Sequence, residues 1–455
     1  SVVGTVFSGT VNIQGLFFVD DDVLFQNAQV FMEAGAEIIV QNGSTLDIEN
    51  SSFTACNGVM WRSITAGNGA TVRIWDSFMD DAESLVSALD GSALWVDGTQ
   101  FHNNRVAISI PDSGGTYNSV ACWVSNSTFY SAGPMPLPYP GQGTAVGAQG
   151  YAAVDVHKTT LEFTGGNNII HSLSNGLVGH RSDMTISDCR FLNIQPDAAY
   201  TLAGNGAAIY ANGSGSYSYL KQTGYGTTGT PSFEGCRWGI YTEYMNVYST
   251  DNHMTGMGTA YRVERSGYRE VDILNNEVYT HFHGMELRSN DGAAHILVQY
   301  NDITFGDAEC TLCRGYSAIL VTEGNYVAPD SRILNNTIHF MNAPNSRFGI
   351  ALTAADAWLV AGNMLWMVDN ANNRTGVQLQ GCRRTEVSCN AISSSATSYP
   401  IAAQAAIRNM MGSDVLISCN EMDKTANGIL FNFVAAAFGQ HRHHRSAVNE
   451  GQSVV

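Results

Sequence analysis

Five stretches decide the fold: Val271-Asp-Ile-Leu-Asn-Asn-Glu-Val278, Ser331-Arg-Ile-Leu-Asn-Asn-Thr-Ile338, Trp358-Leu-Val-Ala-Gly-Asn-Met-Leu365, Thr385-Glu-Val-Ser-Cys-Asn-Ala-Ile392 and Val415-Leu-Ile-Ser-Cys-Asn-Glu-Met422. In each, two alternating positions, usually apolar, lead to a small or amide residue, then Asn, one free position and a final apolar residue. Segments 244–254 and 296–303 fit the same template, so Asn252, Asn276, Asn301, Asn336, Asn363, Asn390 and Asn420 fall in one column. Self-similarity this regular marks a repeat architecture.

Toward the N-terminus the template changes dialect: Leu46-Asp-Ile-Glu-Asn-Ser-Ser-Phe53, Leu94-Trp-Val-Asp-Gly-Thr-Gln-Phe101, Cys122-Trp-Val-Ser-Asn-Ser-Thr-Phe129, Met184-Thr-Ile-Ser-Asp-Cys-Arg-Phe191 and Pro231-Ser-Phe-Glu-Gly-Cys-Arg-Trp238. Segment 72–78 is a copy with one residue deleted, and 161–168 is a weaker one. The column here reads Ser51, Ser77, Thr99, Ser127, Cys189 and Cys236. Roughly fourteen copies occur, commonly 22 to 30 residues apart. Each is followed by a second short strand, as in Gly284-Met-Glu-Leu287, Gly349-Ile-Ala-Leu352, Gly376-Val-Gln-Leu379 and Gly428-Ile-Leu-Phe431. Period-2 strands joined by tight turns, without helical periodicity, predict an all-β parallel β-helix of roughly fourteen coils. Each strand then pairs with its equivalent one coil away, about 4.8 Å distant. Asn tolerates left-handed backbone angles at a turn, and its amide can bond the amide stacked on it, which gives the column a physical cause.

The expected organisation is an N-terminal cap or first strands over 1–35, the β-helix over 36–440, and a tail or connection over 441–455. A first coil left uncapped exposes its core and an unpaired edge. Extra length gathers in one turn of the repeat. Insertions at 130–150, 193–230 and 305–317 are therefore expected on one edge, where binding residues usually gather.

The chain has 455 residues and a formal charge of −18, with 44% hydrophobic and 14% charged residues. That supplies a long core and too little charge for disorder. Only Lys158, Lys221 and Lys424 are lysines, against 40 acidic residues, so nucleic acid and anionic membrane surfaces are excluded as partners. No window is apolar enough for a membrane span. The chain opens at Ser1 without a leader and reads as a processed product or an excerpt of something larger. Richness in Gly, Ser, Thr and Asn with scarce lysine points to a secreted or cell-surface protein.

Nine cysteines leave at least one thiol unpaired within the chain. Cys189 with Cys236, and Cys389 with Cys419, occupy equivalent template positions on consecutive coils, within disulfide range; buried stacked thiols are the equal alternative. Cys310-Thr-Leu-Cys313 lies in an insertion, where a local disulfide is favoured over zinc because no second CxxC exists.

This pattern resembles the right-handed parallel β-helix family of pectin and other polysaccharide lyases, polygalacturonases, phage tailspikes and exported bacterial surface proteins. The resemblance rests on the repeated template and Gly-headed strands, and it implies a fold rather than a chemistry. Lyases of this kind use basic residues, often with Ca²⁺, and three scattered lysines assemble that poorly. Polygalacturonase-like hydrolases need clustered Asp. Asp80-Asp81 matches such a pair superficially, and Gly179-His180 matches part of a Gly-His-Gly element, but Arg181 replaces its second Gly. Asp80, Asp81, His180 and Arg181 are thus the catalytic candidates. The pair Arg190 and Arg237 falls at equivalent template positions, where stacked surface arginines are the plainer reading. His281-Phe-His283, with His253 and Glu277, offers imidazoles, where an exposed turn pair is the plainer reading. Asp20-Asp21-Asp22 offers oxygens to Ca²⁺, but it lacks the alternate-residue spacing of a calcium loop. The cluster His441-Arg-His-His-Arg445 is read as an adventitious metal binder.

Three functions fit. The favoured one is a non-catalytic exported β-helix of an adhesin, filament or appendage, contacting extracellular polysaccharide or other surface protein subunits without a cofactor. The second is a polysaccharide lyase or glycoside hydrolase. The third is a carbohydrate-binding module stacking sugars on Trp61, Trp95, Trp123 and Trp238.

Overall fold

The computed structural model describes residues 4–115, 117–143, 146–225, 229–288, 295–306, 316–322, 330–341, 346–367, 374–394, 405–425 and 427–432. The chain divides into two compact units, Ser1–Tyr241 and Thr242–Val455. Among the described residues every regular element is a β-strand, as the period-2 alternation requires.

In the first unit one repeat makes one turn of three strands. The turn that starts with Ala93–Asp97 continues through Gln100–His102 and closes with Val106–Ile110. Equivalent strands pair in parallel, with Leu94 beside Cys122, Phe101 beside Phe129 and Ile108 beside Val154. The second unit repeats the plan with Glu270–Leu274, Glu277–Thr280 and Met285–Arg288. Its registers place Val271 beside Ile296, Val278 beside Ile303 and Met285 beside Ile319. This is a right-handed parallel β-helix, the hand that crossover connections between parallel strands take.

Nine turns are described in the first unit and seven in the second. Thr5–Ile13 with Leu16–Val19, and Val23–Met32 with Glu37–Val40, are turns that the template does not detect. In both, the first two strands run on as one, so Val23–Met32 pairs with Thr45–Glu49 and also with Ser52–Ala55. The parallel ladder therefore begins at Thr5 rather than at 36. A second correction concerns 193–230, read from sequence as one long insertion. Part of it is regular coil: Ala207–Asn212 closes the turn begun by Asp183–Ile186, Tyr219–Thr223 opens the next one, and 193–206 remains as the loop between second and third strands. The tail 441–455, residues 307–315 and with them Cys310 and Cys313 lie outside the described residues.

Inward positions form the core. Phe101 and Phe129 stack at 4.5 Å between centroids, and Phe191 and Phe233 at 4.9 Å. All four are buried. A one-residue slip would turn each of these rings outward, at about 1.5–3 kcal/mol per side chain, so the register is strongly fixed.

The Asn column is a continuous ladder. Nδ2 of Asn252, Asn276, Asn301, Asn336, Asn363 and Asn390 each donates to Oδ1 of the next Asn, at 2.8–2.9 Å, ending on Asn420. Each of these Oδ1 atoms also accepts the preceding Asn's backbone N–H at 3.0 Å. The left-handed backbone angle lies one residue earlier than expected, at Asp251, Asn275, Tyr300, Asn335, Gly362, Cys389 and Cys419. That residue makes the bend and aims the following Asn inward. Gly362 is favoured there because a Cβ at its place would sit 2.2 Å from Asn335 Oδ1.

In the first unit hydroxyls do the same work: Ala28 N donates to Ser51 Oγ, Ser51 N to Ser77 Oγ, and Thr99 N to Ser127 Oγ. Ser127 N then donates to Asn168 Oδ1 at 3.0 Å, and Asn168 pairs with Cys189. Cys236 does not belong to this column. Phe191 pairs with Phe233, which places Cys236 at the next corner of the turn, after the left-handed Gly235. Cys189 and Cys236 are therefore not partners, and both are free. The same shift ends the proposed equivalence of Arg190 and Arg237. Cys389 and Cys419 do stack, with Cys389 N donating to Ser418 O, and they are exposed free thiols.

Candidate functional site

The insertions at 131–150 and 193–206 leave the β-helix at the same corner, between second and third strands, and meet. Tyr200 Oη donates to Gln149 O at 2.6 Å, and Gln149 N donates to Asp197 Oδ2 at 2.8 Å. Tyr139 and Tyr200 pack on Met60, Met135 and Ala148. Tyr151, Leu202 and Trp238 cover Val178, Tyr210 and Tyr241 on the outer side of the third strands. This wall belongs to the first unit.

Beyond it, still on third strands, Asp155 and His157 point the same way from Ala152–His157 because they alternate. His180 ends the next third strand, Asn175–His180, and pairs in register with His157. The two imidazoles stack with centroids 4.5 Å apart and planes 19° apart. Asp155 Oδ1 lies 3.5 Å from His157 Nε2 and 4.0 Å from His180 Nε2. Burial, and then the neighbouring His157, hold His180 below the usual imidazole range, so it stays neutral at neutral pH. The Tyr210 ring meets His180 edge-on at 6.0 Å.

One residue further, Lys158 and Arg181 take left-handed angles at the following corner. They line a groove with Tyr117, Asp183 and Tyr217, whose cavity of about 490 Å³ falls within the roughly 300–1,000 Å³ of small-molecule sites. Lys158 Nζ bonds Asp112 Oδ1 at 2.8 Å and Gly115 O at 2.9 Å, which fixes the groove's rim. Arg181 Nε donates to Ser214 O at 2.8 Å. Among the described residues no carboxylate lies within ion-pairing distance of its guanidinium. Tyr217 is 90% exposed and Tyr117 46%.

Asp80 and Asp81 form a separate centre. Asp80 ends Phe78–Asp80, and Asp81 turns the chain with a left-handed φ of 64°. Asp80 Oδ1 lies 3.0 Å from His102 Nδ1. Burial raises Asp80 to about 6, and burial together with the Asp80 charge raises Asp81 to about 8, so the pair retains a proton at neutral pH. The two carboxyls act on one another, the Asp80 charge helping to hold the proton on Asp81.

The sequence candidates thus fall into two places: Asp80 and Asp81 at one, His180 and Arg181 at the other. Asp155, His157, Tyr117 and Tyr217 were missed. A signal existed, because template copies at Leu161 and Met184 lie one coil apart, and the same step carries His157 to His180. The four tryptophans do not form a platform. Trp61 is buried, with Nε1 donating to Asp80 O at 2.7 Å. Trp95 and Trp123 are register partners on the outer face of the first strands, with the Arg73 guanidinium 5.6 Å from the Trp95 ring. Trp238 packs against Tyr241 and under Arg237. Asp20, Asp21 and Asp22 do not converge as ligands; Asp22 Oδ1 accepts Thr45 N at 2.9 Å. His283 instead faces Glu286, 3.4 Å away, and His253 faces Glu277 at 4.0 Å.

Among the described residues no helix is long and apolar enough to cross a membrane. No family model and no curated protein matches the chain. Among solved structures it is similar to the A-module of the Azotobacter vinelandii mannuronan C-5 epimerase AlgE4, at 12% identity over 91% of this chain and 89% of that one, with a TM-score of 0.30. It is also similar to the periplasmic alginate epimerase AlgG, at 11% identity over 88% and 78% of the chains, with a TM-score of 0.27. A third is the Streptococcus pneumoniae surface protein and adhesin PfbA, at 10% identity over 90% and 91%, with a TM-score of 0.25.

Proposed function

We propose that this protein is an exported, non-catalytic adhesive β-helix that holds an acidic extracellular polysaccharide along the flank of its first unit. The observation that carries this reading is the groove of Tyr117, Lys158, Arg181 and Tyr217. In a chain of formal charge −18 it offers a guanidinium that makes no carboxylate ion pair among the described residues, in a groove also lined by two exposed phenol rings. Guanidinium recognises a sugar carboxylate or sulfate in a planar, two-bond geometry, and aromatic faces accept the apolar side of a pyranose. The stacked backbone beneath is rigid, so little ordering cost opposes binding.

Retention of the protein on immobilised polyuronate, against a neutral glucan, tests this. Arg181→Ala and Tyr217→Ala are each expected to weaken binding to polyuronate by roughly tenfold, the scale of one charge-assisted or stacking contact. Equal retention on both polymers, or unchanged binding by both variants, refutes it.

A second reading, turnover of an acidic polymer at a separate place, is favoured by Asp80 and Asp81 beside His102, a carboxyl pair that retains a proton at neutral pH. New reducing ends or unsaturated uronate absorbance with the native protein, lost in Asp80→Asn, would establish that reading over the first.

A further inference from the structure

We propose that Asp155, His157 and His180 bind one divalent transition-metal ion, of the class of Zn²⁺ or Co²⁺, at the edge of the groove. The three ligand atoms all lie within 4.8 Å of one another. Bonds of about 2.0–2.2 Å to a tetrahedral ion set ligand atoms roughly 3.4 Å apart. The Asp155 Oδ1 to His157 Nε2 distance already meets this at 3.5 Å, and His180 Nε2 at 4.0 Å needs a small side-chain rotation. The three come from paired neighbouring strands, so the backbone fixes their spacing.

A second observation points into the same space. Asp155 Oδ1, the atom that both imidazoles approach, is buried and makes no hydrogen bond. Its strand neighbours on either side are Ser109 and Val178, and valine can donate nothing. A buried carboxylate oxygen without a partner is costly, and 3.5 and 4.0 Å are too long for hydrogen bonds to the histidines. A proton on one stacked imidazole opposes a proton on the other. One cation shared by two neutral imidazoles and the carboxylate satisfies all three groups. Imidazole and carboxylate together suit Zn²⁺ and its neighbours better than Ca²⁺, and three protein ligands leave at least one position for water or an anionic ligand group. This site goes beyond the adhesive reading and does not depend on it.

Calorimetric titration of the full chain with Zn²⁺, and its absorption on titration with Co²⁺, test the proposal. His441, His443 and His444 are replaced by Gln beforehand so that the tail cannot contribute. One equivalent of Zn²⁺ is expected to bind, with intense visible cobalt bands from a four- or five-coordinate ion. His157→Gln, His180→Gln and Asp155→Asn should each weaken binding at least about tenfold. All three side chains are partly exposed, and circular dichroism confirms that the variants stay folded. Should a variant unfold, the metal-induced shift of the imidazole resonances of the parent protein decides the matter by identifying the histidines that respond. Loss of all binding with the tail substitutions alone, affinity unchanged from the parent in the three variants, or resonance shifts at other histidines overturns the proposal.

Discussion

Removing one rung from the middle of the Asn ladder should loosen the second unit far more than its surface suggests. In Asn336→Ala four buried bonds vanish. Asn336 Nδ2 no longer donates to Val298 O at 3.0 Å or to Asn363 Oδ1 at 2.9 Å. Its Oδ1 no longer accepts Asn301 N at 3.0 Å or Asn301 Nδ2 at 2.9 Å. Some partners keep a substitute: Asn363 Oδ1 still accepts Asn336 N, and Asn301 Nδ2 still reaches Ile273 O. The Asn301 N–H loses its side-chain acceptor in an interior without room for bulk water. An orphaned buried donor costs about 1–3 kcal/mol and each of the three further lost bonds about 0.5–1.5, so the total is about 2.5–7.5 kcal/mol. The control is Asn335→Gly at the adjacent exposed left-handed position, where φ is 54° and glycine is at ease; it should change stability by less than about 1 kcal/mol. Because repeat arrays open locally, hydrogen exchange read by mass spectrometry is the right assay. With about 1.4 kcal/mol per tenfold, amides around Asn301 should exchange at least about 60-fold faster in Asn336→Ala. Protection within threefold of the parent, or equal to Asn335→Gly, would refute the view that the amides hold successive turns together.

The buried carboxyl pair makes a prediction with a definite sign. Asp81 is raised to about 8 from an unfolded value near 3.9, so its contribution is present below about pH 4 and lost as pH rises through about 8; Asp81→Asn should flatten that decline in urea midpoints, and an unchanged slope would count against the assignment. Mass-mapped alkylation should label exposed Cys389 and Cys419 first, whereas burial, which pushes the Cys122 and Cys236 thiols up to about 12, should keep both inert in the native chain. Mild oxidation should join Cys389 to Cys419, whose turns lie about 4.8 Å apart, and leave Cys189 unlinked to Cys236.

The second unit was legible almost residue by residue because one side chain, Asn, serves one corner throughout. Its amide both donates and accepts, so any other residue there breaks two neighbours, and the column stays uniform. The first unit was harder for a physical reason. Its rungs are hydroxyls and, at Cys189, a thiol whose Sγ lies 3.3 Å from Ser187 O. These are weaker, locally satisfied groups, so the corner tolerates Ser, Thr, Asn or Cys and loses its signature. Hence the weak copy at 161–168 concealed a true rung at Asn168. Conversely, Gly235-Cys236-Arg237 imitates Asp188-Cys189-Arg190 while serving a different corner: a left-handed residue followed by a small inward one suits any bend of the coil.

The same reasoning explains why the site was half seen. His180 and Arg181 stood out only through a family motif that they fail to complete. Their real context lies across the strands, where His157 stacks on His180, Lys158 begins the same corner as Arg181 one coil earlier, and Asp155 shares the face of the histidines. A parallel β-helix builds sites from columns, so residues that act together are separated by one coil length, and that length varies with every insertion. Here it is 23 residues between His157 and His180, but the insertion at 131–150 and the turn at 112–115 lengthen the preceding coil. Rigid columns with variable corners thus place chemistry beside the loops: strand pairing fixes the spacing of Asp155, His157 and His180, while the 112–115 rim and Tyr217 are supplied by the corners that evolution can lengthen without disturbing a single rung.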